Sequence, residues 1–358
     1  MKRTSNKPLL YSLTSLVVLS SSVAYAETRV TAPTLEGGFT GSIGAIYLSP
    51  SSDDQNYAGT YADVENTTTT EVIAENIVEV NPGYDFGVQA SLGYLFEDTA
   101  NGLEFFYRVI NTSDSDNVSS DANTIVFIPQ FDDEVLSASS DLSYELNAVD
   151  LMFNQFMDIG DVVQMRFSLG ASYLNLEKDQ TSYYVGFEGG LEEELLALDY
   201  ASDSQFSGFG PRFSTDARYE FGPGFGLLGG ASLAYYIGDM DVRDTFIAEA
   251  IVNPGLKQNT EKDTQNYNDD LNNHAVTNLR ANIGIDYVYF FDDEEGYTFG
   301  IELGYLVDYY ADATQKLNYI SDNAHEARNI ERAEAIYTDS DSNSITFSGP
   351  YLNIKSVF

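Results

Sequence analysis

Cysteine and tryptophan are both missing from this 358-residue chain, and histidine occurs only twice. Without cysteine there is no disulfide, no thiolate metal site and no disulfide-linked oligomer. Cations are scarce, with 17 Lys and Arg against 56 Asp and Glu, a formal charge of −39. So acidic a surface repels phosphate backbones and argues against nucleic-acid partners. Long apolar runs are lacking as well. The longest, Leu9 to Leu19, is too short and too rich in Ser and Thr for a membrane-spanning helix. It follows Lys2, Arg3 and Lys7 and precedes Ala24-Tyr25-Ala26, so residues 1–26 read as a secretory signal and 27–358 as the exported protein.

What the chain has in quantity is aromatic residues, 26 Tyr and 22 Phe, set in a two-residue rhythm. From Phe206 to Gly238, Phe209, Phe213, Ala217, Tyr219 and Phe221 alternate with Arg212, Ser214, Asp216, Arg218 and Glu220. The rhythm resumes after Gly222-Pro223-Gly224 with Phe225, Leu227, Ala231, Leu233, Tyr235 and Ile237. Period two means a strand with unlike faces. Each arm exceeds the ~9 to 11 residues that a tilted strand needs to cross a bilayer. With the apolar phase on lipid, the polar phase, of mixed sign, faces a lumen.

The same rhythm recurs at Gly38 to Leu48, Tyr84 to Phe96, Leu103 to Val109, Leu142 to Phe153, Val163 to Tyr173, Leu279 to Phe291, Tyr297 to Tyr309 and Ile345 to Phe358. Two of these segments change phase. Leu142, Tyr144, Leu146 and Ala148 give way to Val149, Leu151 and Phe153, as a bulge would produce. Ile345 and Phe347 give way, across Gly349-Pro350, to Leu352, Ile354 and Phe358. About ten strands result, within a range of 8 to 12. Short turns alternate with acidic loops near 49–82, 111–141, 178–205, 239–273 and 311–343. The expected fold is an all-β transmembrane antiparallel β-barrel of the bacterial outer membrane, with short periplasmic turns, periplasmic termini and long extracellular loops. Aromatics near strand ends, such as Tyr84, Tyr173, Phe221 and Tyr309, suit interfacial girdles. The terminal Phe358 on an amphipathic last strand resembles the signal by which the barrel-assembly machinery recognises its clients. Two loops show helical spacing, Leu191, Leu195 and Leu198 in one and Ala327, Ile330 and Tyr337 in the other.

The polar phase supplies the candidate lumen residues: Glu104, Arg108, Arg166, Arg212, Asp216, Arg218, Glu220, Arg280, Asp286, Glu302 and Asp308. In a wide pore they line water and tune ion selectivity. In a narrow barrel they pair with one another, because a buried charge needs a partner. Ten strands lie nearer the filled case, since about eight enclose only side chains and 16 to 18 leave a channel. The five loops carry 36 acidic and 7 basic residues. Solvation and mutual repulsion account for them, and a second reading has them recruit divalent cations that bridge to the phosphates of outer-membrane lipid and lipopolysaccharide. No spaced calcium motif, metal site or cofactor site emerges. Neither His274 nor His325 sits in a recognisable catalytic constellation, so no enzyme is expected, and His274 with Asp269 or Asp270 is the rim pair to test.

Several blocks together resemble the Legionella-type major outer membrane protein family: GFTGSIGAIYLSP from Gly38, ELNAVDLMFNQ from Glu145, FSGFGPRFSTDARYEFGPGFGLLGGA from Phe206, LRANIGIDY from Leu279 and the ending FSGPYLNIKSVF. They cover most strands and none of the loops. The resemblance implies an outer-membrane barrel with porin-like passage of small solutes and exposure to a host surface. Family members linked by disulfides offer no guide here, because this chain has no cysteine. The alternative is a plugged barrel serving as a structural or adhesin-like surface protein.

Overall fold

The structure, a computed structural model, describes residues 37–62, 76–121, 124–129, 133–188, 195–251, 262–291, 298–321 and 335–358. The expected signal at 1–26 and His325 lie outside them. Fourteen strands are described: β1 (Gly38–Ser52), β2 (Asn56–Ala62), β3 (Asn76–Glu79), β4 (Asp85–Leu95), β5 (Asn101–Ser119), β6 (Thr124–Ile128), β7 (Asp133–Val135), β8 (Ser137–Ile159), β9 (Val163–Glu188), β10 (Leu195–Gly222), β11 (Phe225–Ile251), β12 (Lys262–Phe290), β13 (Thr298–Ser321) and β14 (Ala335–Val357).

Ten of them close an antiparallel barrel in the order β1-β14-β13-β12-β11-β10-β9-β8-β5-β4, the strand number expected from the sequence. Every neighbour along the wall is a neighbour in sequence, apart from the seam and the steps from β1 to β4 and from β5 to β8, so hairpin pairing generates most of the wall. The seam joins the two ends of the described chain. Thr40 pairs with Val357, Phe39 and Phe358 exchange backbone hydrogen bonds of 2.7 and 2.9 Å, and their rings stack at 6.5 Å. The turns after β4, β8 and β10 are short, and they lie at the same end of the barrel as this seam. At Gly224 the backbone has φ +76° and an added Cβ would lie 2.4 Å from the Val288 carbonyl oxygen, so only glycine closes the β10–β11 turn without strain.

On the outside, Phe209, Phe213, Tyr219, Phe221, Phe225 and Leu233 are all exposed. Between Phe221 and Phe209 the outward phase of β10 is apolar or small, roughly 40 Å of strand at ~3.3 Å per residue, which when tilted spans a hydrocarbon core. Beyond Phe209 the same phase turns polar with Ser207, Gln205 and Asp203. On β9 the outward Tyr173 likewise gives way to Asn175, Glu177 and Asp179. The strands continue regardless. β9, β10, β11 and β12 run 26, 28, 27 and 29 residues, far more than the apolar band requires. Much of what the sequence suggested as loop is therefore wall. Among the described residues no helix is long and apolar enough to cross a membrane, and strands carry the apolar surface.

Three local expectations change. Strand β8 has no bulge at Ala148–Val149, because its register against β5 and β9 is continuous from Ser137 through Gln155. Even-numbered residues face inward throughout: Leu142, Tyr144, Leu146 and Ala148 are buried, then Asp150, Met152 and Asn154. The apparent slip of phase is an apolar lumen giving way to a polar one. In β14 the inward phase likewise runs unbroken from Ile345 and Phe347 to Tyr351, and only the ladder to β1 lapses near Pro350, which has no N–H to give. Helical spacing also misled. Leu195 and Leu198 extend β10, paired with Glu188 and Tyr184 of β9, and Tyr337 lies in β14; Leu191, Ala327 and Ile330 fall outside the described residues.

Candidate functional site

The remaining four strands form a sheet ordered β3-β2-β6-β7, drawn from the two connections that follow β1 and β5. Its Tyr57, Ala58, Val126, Ile128 and Val135 join one buried cluster with wall residues Ile46, Leu48, Ile110, Leu142, Leu146, Leu176, Phe206, Met240 and Phe347. These wall residues sit on the inward phase above the polar lumen positions. The sheet therefore packs inside the end of the barrel remote from the short turns, and apolar contact fills that half.

Polar ties fasten the sheet across the barrel. Asp54, just before β2, lies 2.8 Å from Lys178 Nζ of β9 and accepts a hydrogen bond from Thr314 Oγ1 of β13 at 3.1 Å. Lys178 Nζ also donates to the Asp54 carbonyl at 2.8 Å. Lys316 Nζ donates to Asn56 Oδ1 at 2.9 Å, and Tyr184 Oη donates to the Tyr57 carbonyl at 2.6 Å. Burial alone would raise the Asp54 pKa, but the Lys178 charge and three side-chain hydrogen bonds overcome it and hold the carboxyl below its ordinary range. Lys316 is pulled down to about 8, by burial first and by Lys178 second.

β13 brings Thr314 and Lys316 to this place by leaving the wall. Its pairing with β12 ends at Ala311; Asp312 has φ +56°, and Ala313, Thr314 and Gln315 are all buried although they are consecutive. Gln315 N donates to Ser204 Oγ of β10 at 3.0 Å. The far part of the β13–β14 hairpin thus crosses the lumen. At the point of departure His274 Nε2 lies 2.7 Å from the Asp312 carbonyl oxygen, and its ring meets Phe206 edge-on. No hydrogen bond links His274 to Asp269 or Asp270 among the described residues.

Below the apolar layer the inward phase is ionic. The deeper tier contains Arg108, Arg212, Arg280, Asp150 and Asp308. Arg108 Nη1 pairs with Asp308, and Arg280 Nε donates to the same carboxylate at 3.2 Å. Asn278 and Tyr310 also donate to it, at 2.6 and 3.0 Å. Arg212 pairs with Asp150 at 3.1 Å and reaches Tyr236 and Asn278 at 2.7 and 3.0 Å. All but Arg280 are at least 96% buried, with relative exposures of 3% for Arg108 and 1% for Asp308. The tier nearer the short turns holds the other candidates. Arg166 bridges Glu104 and Asp216 at 2.9 and 3.0 Å, Arg218 binds Asp286 at 3.0 Å and Glu220 at 3.4 Å, and Lys355 pairs with Glu302. All eleven candidates from the sequence lie on the inward phase, and each is in an ion pair. A cavity of about 390 Å³ opens between the tiers and the short-turn end.

Sequence reasoning passed over Asp150, Asn278, Tyr236, Tyr310, Lys355 and the Asp54–Lys178 tie. Asp150 was within reach: once the phase of β8 is fixed it falls inward between Ala148 and Met152. Nothing local marks Asp54 as the partner of a lysine 124 positions away.

On the outer face beyond Tyr173 and Phe209, carboxylate oxygens of Glu177, Asp179 and Asp203 gather within 4.8 Å of one another. Partial burial and the neighbouring carboxylates raise all three pKa values.

An antiparallel barrel that closes through its own ends, wears its apolar residues outside and turns its charges inward is a membrane-spanning β-barrel of the outer-membrane class. The family model for the Legionella pneumophila major outer membrane protein precursor matches residues 31–358, and the chain belongs to that family. No curated protein matches. Among solved structures, the outer membrane protease OmpT from Escherichia coli is similar with 10% identity over 92% of this chain and 100% of its own, at a TM-score of 0.41. A FadL homologue of Pseudomonas aeruginosa shows 7% identity over 90% of each chain, TM-score 0.25. The toluene transporter TodX of Pseudomonas putida shows 7% over 89% of each, also at 0.25.

Proposed function

We propose that this outer-membrane barrel is closed to free diffusion at rest and serves as a structural and adhesive surface protein. In this reading its acidic far half faces the exterior and its short turns and termini face the periplasm. The observation that carries it is the packed layer in the lumen: the internal sheet and the inward phases of nine of the ten wall strands bury one continuous apolar cluster, and the polar groups among it are tied to one another across the barrel. Below it, every charged candidate lies in at least one ion pair. The aromatic boundary at Tyr173 and Phe209, with Glu177, Asp179 and Asp203 just beyond, supports a divalent-cation bridge to lipopolysaccharide phosphates. Phe358 at the seam supports recognition by the barrel-assembly machinery. In this reading His274, with Nε2 2.7 Å from the Asp312 carbonyl oxygen, anchors the place where β13 leaves the wall.

Porin-like passage is the second reading, favoured by the charged cavity of about 390 Å³, which would become a through-channel if the sheet left the lumen. Planar-bilayer recording of refolded wild-type protein separates the two. The closed reading expects no steady discrete conductance; a stable open level in the wild type overturns it.

A further inference from the structure

We infer that the inner end of the lumen cavity is a binding site for a small monovalent anion, held by Arg108 and Arg280 against Phe106. Three guanidinium groups, those of Arg108, Arg212 and Arg280, meet there, and the carboxylates paired with them are only Asp150 and Asp308. The tier therefore holds one uncompensated positive charge, away from bulk water. Leaving a buried charge unpaired is among the costliest arrangements in a protein interior.

The hydrogen bonding shows the same deficit. Arg108 is 3% exposed, and its Nε has no hydrogen-bond partner. Nη2 of Arg280 lies 3.2 Å from Asp308 Oδ2 but makes no hydrogen bond, the same oxygen being taken by Nε of that residue. Both guanidinium carbons stand over the Phe106 ring, at 5.4 and 5.8 Å from its centroid. The two N–H groups, Arg108 Nε and Arg280 Nη2, are buried donors without a hydrogen-bond partner. Arg108, Arg280 and Phe106 all line the cavity.

The approach limits the charge of the ligand. In the tier between this point and the short-turn end, Arg166, Arg218 and Lys355 face five carboxylates, so the entry is negative and penalises each added negative charge. A small anion of single charge, such as a halide or a short carboxylate, is what the path admits and the inner end completes. The site stands whether or not the barrel conducts, since it needs access from one end only.

Bromide is the probe. Crystals of the full chain soaked in sodium bromide should show an anomalous peak within hydrogen-bond reach of Arg108 Nε and Arg280 Nη2, and sodium formate in excess should abolish it. Bromide peaks confined to other parts of the molecule would overturn the proposal. In solution, formate should raise the thermal unfolding midpoint of the wild type by several degrees and leave Arg280→Gln, whose tier is neutral, unmoved at the same salt. An equal rise in both proteins overturns it as well. Should the variant fail to fold, the wild-type bromide map decides alone.

Discussion

At the scale of the residue, the lumen is governed by the cost of burying charge. Asp308 accepts from Arg108, Arg280, Asn278 and Tyr310, so Asp308→Ala strands two guanidinium groups in a space they cannot leave. Loss of one partner of a buried pair costs about 3–5 kcal/mol. Denaturant unfolding in detergent should register a loss of that order for Asp308→Ala, and a loss within error would show the tier to be hydrated. Lys316 gives a prediction that depends on pH. Its folded pKa is about 8, below the ordinary 10.5, so the unfolded state holds more protons between those values. Stability should therefore rise as pH increases from about 8 towards 10.5. Lys316→Met should flatten that rise in melts recorded across the interval.

At the scale of the element, the internal sheet is a separable part. Four strands cut from two connections have no ladder to the wall, and they are kept in place by apolar packing and a few cross-lumen ties. The Asp54–Lys178 pair is the best defined of these. Replacing both by neutral residues of similar size, Asp54→Asn with Lys178→Met, keeps the wall ladder and removes the tie. We expect transient conductance steps in the double variant that are absent from the wild type, or faster proteolysis of the folded protein. A double variant as silent and as resistant as the wild type would mean that packing alone holds the sheet. The β13–β14 hairpin belongs to the same device, because Thr314 and Lys316 meet the sheet only after β13 leaves the wall at Asp312.

At the scale of the whole molecule, the barrel is polarised. Its short-turn half is ionic within and apolar without; its far half is apolar within and acidic without. Glu177, Asp179 and Asp203 mark the change on the outer face. Because their folded pKa values are raised, the native state binds protons more tightly than the unfolded chain there, and stability gains as pH falls towards the carboxylate range. Magnesium should substitute for the protons. Its addition at pH 7 is expected to raise the melting midpoint, with the gain shrinking at pH 4 and in Asp179→Asn/Asp203→Asn. An unchanged gain in that variant would place the cation elsewhere.

The sequence by itself determined the wall. Alternation is local, since neighbouring side chains in a strand must point to opposite faces, so Phe209 and Arg212 declared their sides without knowledge of any partner. Strand number, the short turns and the inward phase of the charges followed from it. What only the tertiary structure decided is the content of the lumen. Hydropathy cannot distinguish an apolar residue that faces lipid from one that faces another apolar residue across the barrel, so Leu142 to Ala148 looked like a slip of phase. Nor can it say which charges meet. The pairing of Asp54 with Lys178, and of Arg108 and Arg280 on the one carboxylate of Asp308, depends on which strands face each other once the sheet has closed.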